Sequence, residues 1–117
     1  MKVIIAGSRE CTNYEYVRNK LLELFTFPYV TEVVSGTARG VDLMGEEWAK
    51  EEGIVIKKFP ADWNQHGRGS GYMRNKEMAE YSDVLVAFWD GYSKGTKHMI
   101  DLALEQKLET HIYFLGE

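Results

Sequence analysis

The feature that most constrains this chain is an alternation. Five short runs rich in apolar and β-branched residues, at 2–6, 31–35, 54–59, 83–88 and 110–115, are separated by stretches of helical periodicity. Short apolar runs bounded by turn residues suit strands buried on both faces, and such strands belong to parallel sheets covered by helices. Short loops joining strand to helix to strand predict an α/β fold: a single doubly wound domain whose five-stranded sheet is mainly parallel, with helices on both faces. The helical stretches carry their own signals. Asn13 is a candidate N-cap for a helix from Tyr14 onward, with Val17, Leu21, Leu24 and Phe25 on one face and Pro28 closing the region. In the helix at 41–52, Val41, Met44, Trp48 and Ala49 face inward, Glu46, Glu47, Lys50 and Glu51 face outward, and Gly53 ends it. Further helices are expected at 71–81 and at 96–107, the latter with Ile100, Ala103 and Leu104 inward. Residues 61–71 have no periodicity and read as a loop that is mobile or ordered by a ligand.

At 117 residues and 44% hydrophobic, the chain fits one domain over 1–117, without repeats or linkers. A lone cysteine, Cys11, allows no internal disulfide and no cysteine-based metal cluster, which agrees with a reducing compartment. No run approaches the roughly 20 apolar residues of a membrane span, and the apolar run before Gly7 is too short for a secretory signal. The expectation is a cytoplasmic protein with no membrane partner and no metal. A net charge of -4 argues against duplex nucleic acid as a partner. It leaves room for a local basic pocket that takes a small anion.

In doubly wound sheets, ligands sit beyond the carboxyl ends of the strands, where the strand order reverses. Following each strand outward gives Gly7-Ser8-Arg9, then Ser35-Gly36-Thr37-Ala38-Arg39-Gly40, then residues 60–68 with Trp63 and Arg68, then Trp89-Asp90-Gly91-Tyr92-Ser93-Lys94-Gly95-Thr96. Glycines and hydroxyls delivered to helix starts expose backbone N–H groups and the positive end of the helix dipole, which suits phosphate or carboxylate. Gly36 and Gly40 permit close backbone approach, Thr37 offers a hydroxyl, and Arg39 can pair with phosphate through two nitrogens. Asp42, in the first turn of the next helix, serves either that helix's dipole or a ligand. No GxGxxG and no GxxxxGK[ST] occurs, so neither a dinucleotide fingerprint nor a P-loop is supported.

Positions 71, 74, 75, 78 and 79 share a helical face, and Met78 and Ala79 mark it as inward. Arg74 and Asn75 therefore extend a buried stripe toward the sheet edge. A buried guanidinium requires a carboxylate, from Asp42, Asp62 or Asp90, or a bound anion. Trp48 reads as core. Trp63 and Trp89, just past strands, and Tyr72 and Tyr92 are candidates to stack on a nucleobase or to wall a pocket. His66 and His98 have no metal-ligand spacing and read as exposed histidines.

The segments GSR, SGTARGVD, PADW, GYMRNKEM and SDVLVAFWDGYSKGT, in this order across nearly the whole chain, resemble the SLOG superfamily, specifically its small YspA-like and YpsA-related members. The resemblance implies a Rossmann-like domain that binds a nucleotide or nucleotide-derived ligand, and a homo-oligomer. The superfamily includes the LOG enzymes, which cleave nucleoside monophosphates at the N-glycosidic bond, and the DprA proteins, which bind single-stranded DNA. Gly95-Thr96 match the GT of the LOG loop PGGxGTxxE, and Arg74 matches the arginine that precedes it. The catalytic glutamate of that loop falls at Met99, and Asp90-Gly91-Tyr92-Ser93-Lys94 stands where paired glycines belong. Binding is therefore expected ahead of hydrolysis of an N-glycosidic or phosphoester bond, with Asp42 and Asp90 the candidate catalytic carboxylates. Single-stranded nucleic-acid binding of the DprA kind is a weaker alternative.

Overall fold

The structure is a computed structural model in which residues 1–25, 29–61 and 67–115 are described. Five strands, β1 (Lys2–Gly7), β2 (Glu32–Ser35), β3 (Val55–Lys58), β4 (Val84–Trp89) and β5 (Glu109–Phe114), form one sheet in the order β3-β2-β1-β4-β5. Every pairing is parallel. The helices are α1 (Tyr14–Leu24), α2 (Val41–Glu52), α3 (Ser70–Tyr81) and α4 (Lys94–Glu105), with a single 3-10 turn, Gly67–Gly69, leading into α3.

The continuous apolar runs are explained by the two layers they serve. On one face Val3, Ile5, Val33, Val84, Val86 and Phe88 pack against Val17 and Leu21 of α1 and Trp48 and Ala49 of α2. On the other face Ile4, Ala6, Val34, Leu85 and Ala87 pack against Met78 and Ala79 of α3 and Met99, Ile100 and Ala103 of α4. Successive side chains of a strand point to opposite faces, so β1 and β4 must be apolar at nearly every position. The edge strands differ: Val55 on β3 and Phe114 on β5 are well exposed.

The strand order reverses between β1 and β4, which pair from Val3↔Val84 to Gly7↔Phe88. The chain leaving β1 turns toward the α1 layer and the chain leaving β4 toward the α4 layer. A crevice opens where they part, as expected for this topology.

Two side chains depart from the helical-face expectation. Leu104 is exposed, because the buried stripe of α4 runs through Thr96, Met99, Ile100 and Ala103 and leaves Leu104 beside it. Glu46 is buried rather than outward. Its neighbour Gly45 lies so close to the sheet that a Cβ there would sit 2.8 Å from Cβ of Ile5. A helix that approaches this closely buries a broader stripe, and Glu46 goes under with it. Helix α4 begins at Lys94, earlier than the predicted 96, because the Ser93 side chain caps it by accepting from the Thr96 N–H.

Candidate functional site

The β4–α4 junction is built around Asp90. One carboxylate oxygen accepts from the backbone N–H groups of Tyr92 and Ser93, both at 2.8 Å. The other accepts from the Ser8 hydroxyl at 3.3 Å, tying the end of β4 to the end of β1. The Ser93 and Tyr92 N–H groups hold the Asp90 carboxyl below its ordinary range. Gly91 takes φ 86, the left-handed region that lets the turn close. Ser93 then caps α4, with its hydroxyl 3.1 Å from that of Thr96. Gly95, in the first turn, is open: a Cβ there would meet nothing within 4 Å.

The β2–α2 junction is tighter. The Ser35 hydroxyl is buried; it donates to Glu46 at 2.6 Å and accepts from the Thr37 N–H at 3.0 Å. This holds Thr37 at φ 65, one of two described non-glycine residues with positive φ. At Gly40, φ is 81 and a Cβ would lie 2.4 Å from the Ser8 carbonyl oxygen, so only glycine fits. Asp42 is buried and accepts from the Ala38 N–H at 3.2 Å. Burial pushes its carboxyl up to about 6, although the Ala38 N–H, Arg74 and Arg9 all pull the other way.

Arg74 closes the site from α3. Its Nη1 donates to the Gly36 carbonyl and its Nε to Oδ1 of Asn75 at 2.9 Å. Asn75 in turn donates toward the Gly95 carbonyl at 3.3 Å and lies 3.2 Å from Nδ1 of His98. Arg74 is thus oriented by neutral groups, and a Cβ at Gly36 would collide with both its Nη1 and Asp42 Oδ2. Burial lowers the guanidinium's pKa, opposed by Asp42. These groups enclose a cavity of about 70 Å³, lined by Gly7, Arg9, Asp42, Arg74, Thr96 and Met99 among others. Asn75, Ser93 and Gly95 also face it. Pockets that hold whole small molecules run to roughly 300–1,000 Å³, so this one has room only for a group of about phosphate size.

Other predicted site residues stand apart from the cavity. Arg39 is exposed and pairs with Glu10 at 2.7 Å. Trp89 does not line the cavity; its indole N–H donates to the Ser93 carbonyl at 3.1 Å and its ring packs on Phe114 with centroids 5.7 Å apart. Ser8, Ser35 and Asp90 are engaged in bracing their loops. Trp63, with Asp62, His66 and the Arg68 side chain, lies outside what is described. The sequence reading missed Glu46 and placed His98 in solvent. His98 is half-buried against Asn75, edge-on to the Tyr72 ring at 4.5 Å, and burial lowers its pKa. Among the described residues, no cluster of three His, Cys, Asp or Glu side chains could hold a metal ion, and no helix is long and apolar enough to cross a membrane.

Residues 1–66, which supply β1, β2, β3 and the Gly36–Gly40 loop, match the YspA, cpYpsA-related SLOG family. The chain belongs to this family. Gene 61 protein of Mycobacterium phage D29 is 39% identical over 104 residues, 83% of each chain. Among solved structures, DNA processing protein A (DprA) from Streptococcus pneumoniae matches with a TM-score of 0.76 at 17% identity, over 95% of this chain and 49% of that one. DprA from Helicobacter pylori, described for its single-stranded DNA binding mode, matches with a TM-score of 0.71 at 23% identity, over 96% and 64%. The chain therefore spans less than two thirds of either DprA, and the likeness is one of fold.

Proposed function

We propose that this SLOG-family domain binds a nucleotide or nucleotide-derived ligand at the carboxyl ends of its strands, with a phosphate in the cavity beside Arg74. The observation that carries this reading is the guanidinium itself. It is partly buried and held by the Gly36 carbonyl and Asn75, with no carboxylate within ion-pair distance among the described residues. Arg9, Thr96 and the start of α4 line the same space. A cation fixed by neutral groups at a helix start is prepared for an anion. Calorimetry with a nucleotide panel tests this: Arg74→Ala should weaken binding at least tenfold, and unchanged affinity would overturn it. Native mass spectrometry of the purified protein reads the retained ligand and the expected homo-oligomer together.

A second reading, hydrolysis of the bound ligand, is favoured by Asp42. Its carboxyl, pushed up to about 6, lies in the cavity and is tuned to exchange a proton near neutral pH. Met99, buried where the LOG enzymes carry a glutamate, leaves Asp42 to supply that chemistry. Turnover that Asp42→Asn abolishes would support this reading; intact nucleotides after long incubation would exclude it. A labelled oligonucleotide in the same panel tests single-strand binding, which the net charge of -4 opposes.

A further inference from the structure

Among the described residues that line the cavity beside Arg74, Asp42 is the acidic one. It is 7% exposed, and of its two carboxylate oxygens only Oδ2 has a hydrogen-bond partner among the described residues, the Ala38 N–H at 3.2 Å. Oδ1 is left bare. A carboxylate oxygen buried this deeply requires a donor.

The protein around it does not supply one. Arg74 converges on the same spot, since a Cβ at Gly36 would be 2.8 Å from Asp42 Oδ2 and 2.9 Å from Arg74 Nη1, yet the two groups form no ion pair. The guanidinium directs Nη1 to the Gly36 carbonyl and Nε to Asn75. Arg9, at the end of β1, acts on Asp42 through its charge and does not pair with it either. On the same helix Glu46 faces Asp42 as a like charge, held by the Ser35 hydroxyl and by Lys58 at 3.7 Å. From α4, His98 is turned to Asn75.

An anion entering this cavity meets two guanidinium groups and one carboxylate. A doubly charged tetrahedral oxyanion, such as sulfate or a phosphate monoester, would leave one negative charge in excess, with Oδ1 and an anion oxygen opposed as two acceptors. A single proton between them removes both faults. It balances the charge and gives the bare oxygen its partner.

We propose that the cavity binds its anion together with one proton, held between Asp42 Oδ1 and an oxygen of the anion. This rests on the phosphate reading above and adds that binding draws a proton from the solvent, to which it returns on release. Because burial pushes the Asp42 carboxyl up to about 6, that proton costs little near neutral pH.

Sulfate is the probe, because its own charge does not change near neutral pH and any pH dependence then belongs to the protein. In calorimetry at fixed ionic strength it should bind about fiftyfold more weakly at pH 8 than at pH 6, the cost of protonating a group that titrates at about 6. At pH 8, two buffers of different ionisation enthalpy should reveal about one proton taken up per sulfate. Asp42→Asn, whose amide can accept from Ala38 and donate to the anion, should abolish the pH dependence and bind sulfate at least about tenfold tighter than the unaltered protein at pH 8. A residue that only braced its loop would do the reverse and lose affinity when changed. Affinity that does not vary with pH, binding without proton uptake, or a pH dependence that persists in Asp42→Asn and so belongs to His98 or another group, would overturn the proposal. If sulfate binding is then still lost in Arg74→Ala, the anion site itself stands. Absence of sulfate binding at every pH would overturn both. Proton uptake is measured on the unaltered protein, so it decides the matter even where a variant fails to fold.

Discussion

Two loops of this domain carry nearly the same signal, glycines and hydroxyls delivered to a helix start, yet they use their glycines for opposite purposes. In the β2–α2 loop, Gly36 and Gly40 are needed by the protein: added methyl groups would strike Asp42 and Arg74 in one case and the Ser8 backbone in the other. In the β4–α4 loop, Gly95 faces open space, with nothing within 4 Å of where a Cβ would stand. One loop is a joint that sets where Arg74 and Asp42 stand; the other leaves a gap that a ligand can enter. Glycine content alone does not distinguish a braced loop from a vacant one. The neighbours of the missing Cβ do.

Substitutions should separate the two. Gly40→Ala should be the most damaging, about 4 kcal/mol, since positive φ and a backbone collision act together; urea unfolding measures it, and a loss below about 1 kcal/mol would remove the distinction. Asp42 gives the braced loop a pH signature. Its carboxyl has an ordinary value of 3.8 and titrates at about 6 when folded. The folded state therefore holds the proton more tightly, and stability from this group is present below about 4 and lost as pH rises through 6. The drop should reach about 3 kcal/mol at most, and Asp42→Asn should flatten it in unfolding curves at pH 4.5 and 7.5. Gly36→Ala meets only the ends of two side chains, so it should cost about 1–2 kcal/mol of stability while displacing Arg74. Its larger effect should be on nucleotide affinity. Gly95→Ala should go the other way, stabilising by about 0.5–1 kcal/mol, because alanine suits a helix better than glycine and fits here. Its methyl group should nonetheless weaken ligand binding, and a variant that gains stability and keeps full affinity would show that the gap is not used.

The sheet was legible because burial on both faces forces β1 and β4 to be apolar at nearly every position, and only strands in a covered sheet require that. Arg74 and Asn75 were legible for a related reason: helical spacing put them in line with Met78 and Ala79, at the point where a core stripe meets the crevice. Glu46 was not, since face counting treats a helix as a cylinder at fixed distance and Gly45 shortens that distance. Gly45 in mid-helix was the available signal. Arg39 and Arg9 stand at equivalent places in sequence, and no pattern says that Glu10 captures one and leaves the other facing the cavity.

Gly45 has a consequence beyond burial. The residue lies on the layer of α2 that touches Ile5, one turn along from Asp42, and contacts nothing in the cavity. A larger side chain there must push α2 off the sheet and carry Asp42 and Glu46 outward, loosening the site from behind. Smaller residues at position 5 would relieve that push. On the binding reading proposed above, affinity is adjustable through the interior, by pairs of compensating volumes that never meet the ligand, and sequence change at positions 5 and 45 is a route to retuning the site while every residue that faces it stays the same.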